Sequence, residues 1–218
     1  MYRVRKVFLV PALASAVLGL SACGSSDTSG DPSSGPGMTS MASSSAMASP
    51  TTAAPKQAPE GEATGPHSRA DADFATAMIL HHAQAIQMAR TVLKRTNSPE
   101  IKALATRIEE AQSPEIATLT GWLTGWGAPV PDTAVHGGME MDGMMSESDM
   151  KKLETTRQSK VDALFLTQMT EHHQGAIAMA EDELAAGSNP QAKALAQSIK
   201  KTQTAEVAEM KTLLASIS

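Results

Sequence analysis

The chain has 218 residues, with 18 Lys and Arg against 23 Asp and Glu, and one cysteine, Cys23. A single cysteine excludes an intrachain disulfide and removes thiolate metal chemistry from the fold. The acidic balance argues against nucleic acid as a partner.

The first 22 residues read as an exported leader. A basic "MYRVRK" is followed by the apolar "VFLVPALASAVLGL", and small residues lead into Cys23. That order is a secretory signal rather than a membrane span. The "LSAC" ending resembles the bacterial lipobox, in which the cysteine is lipidated and becomes the mature N-terminus; an ordinary signal peptide with a chance cysteine is the alternative. The expectation is a lipoprotein signal peptide over 1–22 and a membrane anchor at Cys23. Losing Arg3, Arg5 and Lys6 with the leader leaves 15 basic and 23 acidic side chains, a balance of −8. Residues 23–66 are almost entirely Ser, Gly, Pro, Thr, Ala and Met. With scarcely any large apolar side chain, this stretch cannot offset the entropy of ordering and is expected to be a disordered tether. About 150 residues remain, enough for one domain over 67–218.

That domain contains an internal repeat. Shifted by 91 positions, residues 71–123 lie over 162–214 without a gap, and 22 of the 53 pairs are identical. "HHAQAIQMA" from His81 meets "HHQGAIAMA" from His172. Phe74, Met78, Pro99, Leu104, Ile108, Gln112 and Glu115 meet Phe165, Met169, Pro190, Leu195, Ile199, Gln203 and Glu206. Each copy reads as two helices. Ser98-Pro99 and Asn189-Pro190 place a capping residue before a proline at the first helical position, which marks the second helix of each pair. Gly187 supplies a C-terminal stop in the second copy. Pro114 lies inside the second helix of copy one, and its aligned residue, Ala205, makes a kinked continuous helix the better reading than a fresh start. The expected fold is all-α: an antiparallel four-helix bundle built from two repeated helical hairpins.

At about 100° per residue, Phe74, Met78, His81, His82, Ala85, Met88 and Ala89 fall within an arc of about 120°. The histidine pair therefore faces the bundle core. Glu115 lies within the stripe Ile101, Leu104, Ile108, Ala111, Leu119 and Trp122, and Glu206 lies among Leu195, Ile199, Met210 and Leu213. A buried carboxylate costs several kcal/mol unless something pairs with it. A structural His–Glu network would answer that need. Metal binding accounts for more of the pattern, because neutral imidazole, thioether and carboxylate are all ligands, and the glutamates can also serve as hydrogen-bond partners of ligating histidines.

The linker 127–150 carries "HGGMEMDGMMSESDM". His136, Met139, Met141, Met144, Met145 and Met150 fall in a polar segment with no evident core to bury them. Thioether sulfur selects Cu(I) over hard cations, which makes the first five additional candidate ligands. Met38, Met41 and Met47 of the tether follow the same logic more weakly.

These features resemble a secreted bacterial family catalogued as domain of unknown function 305, marked by an F–M–HHxxAIxMA helix followed by a helix carrying Gln and Glu. The resemblance covers residues 71–214 and rests on the doubled motif. It implies a ferritin-like fold and a relation to periplasmic copper-binding proteins. Carried over by position, it implies metal binding by Met78, His81, His82, Met88 and Glu115, and by Met169, His172, His173, Met179 and Glu206. Met210, standing where copy one has Leu119, joins the second set, so the two sites need not bind equally.

The leading expectation is thus a membrane-tethered extracytoplasmic copper-binding protein, a buffer or carrier favouring Cu(I), with Cu(II) also accommodated and a copper-delivery protein as a candidate partner. Zinc or iron is the alternative metal. A ferritin-like metal oxidase is the competing class, yet such bundles use Glu-x-x-His, and neither copy contains it. A metal-free helical interaction module is the third reading. No catalytic residue is identified: there is no recognisable nucleophile turn, and the glycine loops of dinucleotide and phosphate sites are missing.

Overall fold

The computed structural model describes residues 65–134 and 141–217. Cys23, the tether methionines, His136 and Met139 lie outside the described residues. Among the described residues, five helices follow in order: α1 Arg69–Leu93, α2 Pro99–Gly125, α3 Glu147–Thr155, α4 Gln158–Ala186 and α5 Pro190–Ile217. No strand occurs among the described residues, and none of the described helices is long and apolar enough to cross a membrane.

Local chemistry sets the helix starts. The Ser68 hydroxyl accepts from the Asp71 N–H while the Asp71 carboxylate accepts from the Ser68 N–H at 2.6 Å, a capping box for α1. Ser98 caps α2 through the Ile101 N–H. The Asn189 side-chain oxygen accepts from the Gln191 and Ala192 N–H groups at the start of α5. Pro99 and Pro190 stand at the first helical positions, where a missing N–H costs nothing. α2 runs without a break through Pro114. Gly187 caps α4 with φ −66°, so a left-handed turn is not what requires it. A Cβ there would overlap the Glu183 carboxyl group.

The α1/α2 and α4/α5 hairpins pack mainly through α1 against α4. These two helices run antiparallel: the Asp71 carboxylate at the start of α1 accepts from the Ser188 and Asn189 N–H groups just past the end of α4. Arg107 of α2 and Glu209 of α5 close the outer side with an ion pair at 2.6 Å. Two separate apolar clusters result. One gathers Met88, Val92, Ile101, Leu104, Ile108, Phe165, Met169 and Met210. The other gathers Phe74, Met78, Ile79, Leu119, Trp122, Ala176, Leu195 and Ile199. The architecture is the antiparallel bundle of two hairpins that the repeat implies.

The linker departs from its expected character. Its C-terminal part feeds α3, which has its own capping box between Ser146 and Asp149 and continues to Thr155. Met150 and Leu153 are buried in the first cluster, beside Met88 and Phe165. The expectation that Met150 lacks a core is therefore corrected: this turn of the linker is amphipathic. Arg95, just past α1, donates to the Glu154 and Thr156 carbonyls, satisfying acceptors at the C-terminal end of α3.

Candidate metal centre

Between the two apolar clusters lies a layer of four histidines. His81 and His82 on α1, and His172 and His173 on α4, are each no more than 1% exposed. The His81 and His172 rings meet at the centre, with centroids 3.7 Å apart and planes inclined by 43°. Since α1 and α4 carry the same motif in opposite directions, the pair sits where the two repeats cross.

The outer histidines are held by carboxylates. His82 Nε2 lies 2.7 Å from Glu115 Oε2, and His173 Nε2 lies 2.8 Å from Glu206 Oε2. Each glutamate comes from the second helix of its own hairpin, so both repeats make the same contact independently. The carboxylate contact at Nε2 orients each ring and leaves Nδ1 as its unpartnered atom in the layer. The glutamates assigned as ligands through the resemblance thus stand as partners of the outer imidazoles.

Burial dominates the electrostatics. It is the largest cause holding His81 down at about 3; the charges of His82 and His173 act in the same sense, and a hydrogen bond with the Asp142 backbone opposes them. Burial, followed by the other three histidines, puts His172 well below the ordinary imidazole value. Both central rings are therefore neutral at pH 7. Five ring nitrogens in this layer are buried without a hydrogen-bond partner: His81 Nε2, His82 Nδ1, both nitrogens of His172, and His173 Nδ1. An orphaned polar atom in a core costs about 1–3 kcal/mol, so five together mark a place prepared for something other than packing. The Gln112 and Gln203 side-chain oxygens are also buried and unpartnered. They lie one turn before the glutamates, and their identity in both repeats is the signal by which they could be added to the site.

Among the described residues, no three His, Cys, Asp or Glu side chains are grouped so as to hold a metal ion. Two methionines lie next to the histidine layer as further donors. Met78 and Met169 are fully buried, one turn from His82 and His173. They belong to different apolar clusters and flank the histidine layer from opposite sides. Met88 and Met210 lie deeper in the first cluster, with Met88 about 9 Å along the helix axis from His82.

Met179 requires a correction. The repeat places it inward with Met88, but it is only partly buried, in a groove with Asp73, Phe74, Asp182 and Glu183. The difference has a structural cause: α3 adds Met150 and Leu153 over the cluster containing Met88. No described element does the same at Met179.

Part of the methionine-rich linker returns to this layer. Gln84 Nε2 donates to the Met145 carbonyl at 2.9 Å, and the Met145 N–H donates to Gln84 Oε1 at 2.7 Å. Met141, Met144 and Met145 are each half-buried, and Met145 packs against the first cluster.

The family model described as "Domain of unknown function (DUF305)" matches residues 71–214, which span both hairpins and all four histidines. The chain belongs to the DUF305 family. A crystal structure of a DUF305 protein described as secreted, from Streptomyces coelicolor, is 34% identical, with TM-score 0.63 over 68% of this chain and 93% of that one. A DUF305 fragment from Deinococcus radiodurans is 31% identical, with TM-score 0.62 over 69% and 99%. CopM in its Cu(I)-bound form is 31% identical, with TM-score 0.56 over 67% and 96%. CopM structures in Cu(II)-bound, Ag-bound and apo forms match as well. No curated protein matches the chain at a significant level.

Proposed function

We propose that this DUF305 protein is an extracytoplasmic copper-binding protein, a buffer or carrier of copper that favours Cu(I) and is held at the membrane by lipid on Cys23. The observation that carries the reading is the layer of four buried histidines, whose two central rings are neutral and five of whose ring nitrogens have no hydrogen-bond partner. Neutral imidazole binds copper in both common oxidation states, and buried thioethers favour the reduced one. Met78 and Met169 supply that sulfur on either side of the layer. His82 and His173, oriented by Glu115 and Glu206, present unpartnered Nδ1 atoms. The Cu(I)-, Cu(II)- and Ag-bound forms of CopM support copper as the ligand, and the secreted Streptomyces relative supports a location outside the cytoplasm.

A binding role fits better than a redox enzyme because the glutamates are engaged with histidines and leave no bridging carboxylates for a di-metal centre. The deciding experiment is metal analysis of protein purified without chelator, followed by competitive titration of Cu(I) against a chromophoric chelator. Stoichiometric Cu(I) binding is expected, with zinc much weaker. A protein that binds no Cu(I) in competition with the chelator would overturn the reading.

A further inference from the structure

The two repeats carry different residues at one position beside the histidine layer, and both of those residues touch the same stretch of linker. Gln84 and Gly175 are aligned with each other, two residues after His82 and His173. Gln84 is buried and grips the Met145 backbone through both ends of its amide. Gly175 lies in the interior of α4, where glycine normally weakens a helix. Its missing side chain is what admits the linker, because a Cβ at 175 would overlap the Asp142 carbonyl group. Gly143 completes the fit. Its φ is +81°, a region glycine alone enters easily, and a Cβ there would stand 2.8 Å from the Glu171 carbonyl oxygen and 2.9 Å from the Gly175 Cα.

We propose that Met141–Met145 forms a strap seated on Gln84 and Gly175, which covers the histidine layer and governs how fast a soft metal ion enters and leaves it. The identity of the ion rests on the copper reading above; the seat does not. The strap also breaks the symmetry of the repeats. The Asp142 backbone lies against His81, where a hydrogen bond with it acts to raise the imidazole, while His81 Nε2 is left without a partner in the layer. His172 has no such restraint at either nitrogen. Met141, Met144 and Met145 put three half-buried thioethers in the strap itself, donors suited to passing a soft ion by ligand exchange.

The test uses the full chain and two substitutions outside the proposed ligand set. Gly175→Ala evicts Asp142 by bulk, and Gln84→Ala removes the clamp without adding any. Circular dichroism confirms the fold, and amide hydrogen exchange at Met145 reports the strap without metal. Stopped-flow transfer of Cu(I) between protein and an excess of chelator reports access in both directions. The expected result is loss of Met145 amide protection in both variants, with transfer at least tenfold faster each way. Unchanged transfer rates with the amide deprotected would overturn the strap as a barrier. An amide that stays protected in both variants would overturn the seat. If the unmodified protein binds no Cu(I), the copper reading and the strap's metal role both fall, while Met145 protection still decides whether the seat is correct.

Discussion

His81 and His172 place two neutral imidazoles 3.7 Å apart between centroids, at the crossing of two antiparallel helices that carry the same motif. Packing alone would favour apolar side chains here, since unpartnered ring nitrogens stabilise nothing in the metal-free fold. The cost is understandable if the lone pairs are used, and the flanking His–Glu contacts are the part of the design most easily probed.

Glu115→Gln/Glu206→Gln keeps the shape of both side chains but replaces each carboxylate with a neutral amide. The hydrogen bonds to His82 Nε2 and His173 Nε2 weaken, and with them the orientation and basicity of the opposite nitrogens. Loss of such a partner typically lowers metal affinity about 10–100-fold. Competitive Cu(I) titration is expected to show a drop of that size, with helical content unchanged by circular dichroism. Affinity equal to that of the unmodified protein would mean that the two glutamates serve the fold alone.

A second carboxyl pair contributes to the pH dependence of the apo fold at its alkaline end. Burial alone would raise Asp71, but hydrogen bonds from the Ser68 side chain and backbone and from the Asn189 N–H outweigh it, holding its carboxyl well below the usual range. Glu183 is pushed up to about 8, first by burial and then by the hydrogen bond and charge of Asp71, against the opposing charge of Lys193. Glu183 is therefore protonated at neutral pH, its neutral carboxyl buried near the ionised Asp71 where the C-terminal part of α4 meets the start of α1. The folded value lies above the ordinary 4.5. Its stabilising contribution is thus complete below about pH 4.5 and is lost as the pH rises through about 8. His81 and His172, whose folded values lie below the ordinary 6.5, act in the opposite sense up to that pH. Thermal melts of the apo protein are therefore expected to show Tm falling between about pH 6.5 and 8, with Glu183→Gln, a permanently neutral side chain, flattening that fall. An identical pH profile in the variant would remove Glu183 as its source.

Much of the bundle is legible in the sequence because its signals are local. Ser98-Pro99 and Asn189-Pro190 mark helix starts, and the spacing of Phe74, Met78, His82 and Ala85 fixes the inward face. The repeat supplies the hairpin count and points to Glu115 and Glu206 as equivalents. What escapes a reading along the chain depends on contacts distant in sequence. Gln84 meets Met145 across 61 positions, and Asp71 meets Asn189 across 118. Met179 differs from its aligned partner Met88 because α3 covers only one end. The α3 helix had a local signal, the Ser146–Asp149 capping box before Met150 and Leu153. The surrounding methionines favour reading that segment as polar linker.

The proposed membrane attachment depends on a residue outside the described structure. A thioether-linked lipid requires the Cys23 sulfur, and stable anchoring takes more than one acyl chain. Cys23→Ala is expected to move the protein from the membrane fraction to the soluble extracytoplasmic fraction, or to leave it unprocessed at precursor mass. Sedimentation with mass spectrometry distinguishes these outcomes. Mature-mass protein that still sediments with membranes would be incompatible with a lipid anchor at this residue.

Sulfur and packing can be separated at Met78 and Met169. Both are fully buried, so truncation to alanine would leave cavities and confuse the two roles. Leucine roughly conserves the volume and usually costs less than about 1.5 kcal/mol, but it removes the thioether. Met78→Leu/Met169→Leu is expected to keep its helical content and to bind Cu(I) at least tenfold more weakly, a difference of about 1.4 kcal/mol. Zinc binding, which has little use for thioether, should change little. His82→Gln/His173→Gln should weaken both metals, because imidazole suits either. Competitive titration of the two double variants with Cu(I) and Zn(II) gives four affinities. Cu(I) affinity unchanged in the leucine variant would return Met78 and Met169 to the two apolar clusters as packing residues. If the glutamine variant also keeps its affinity for both metals, the outer histidines are not the ligands, and copper binding would have to be sought at another group of donors.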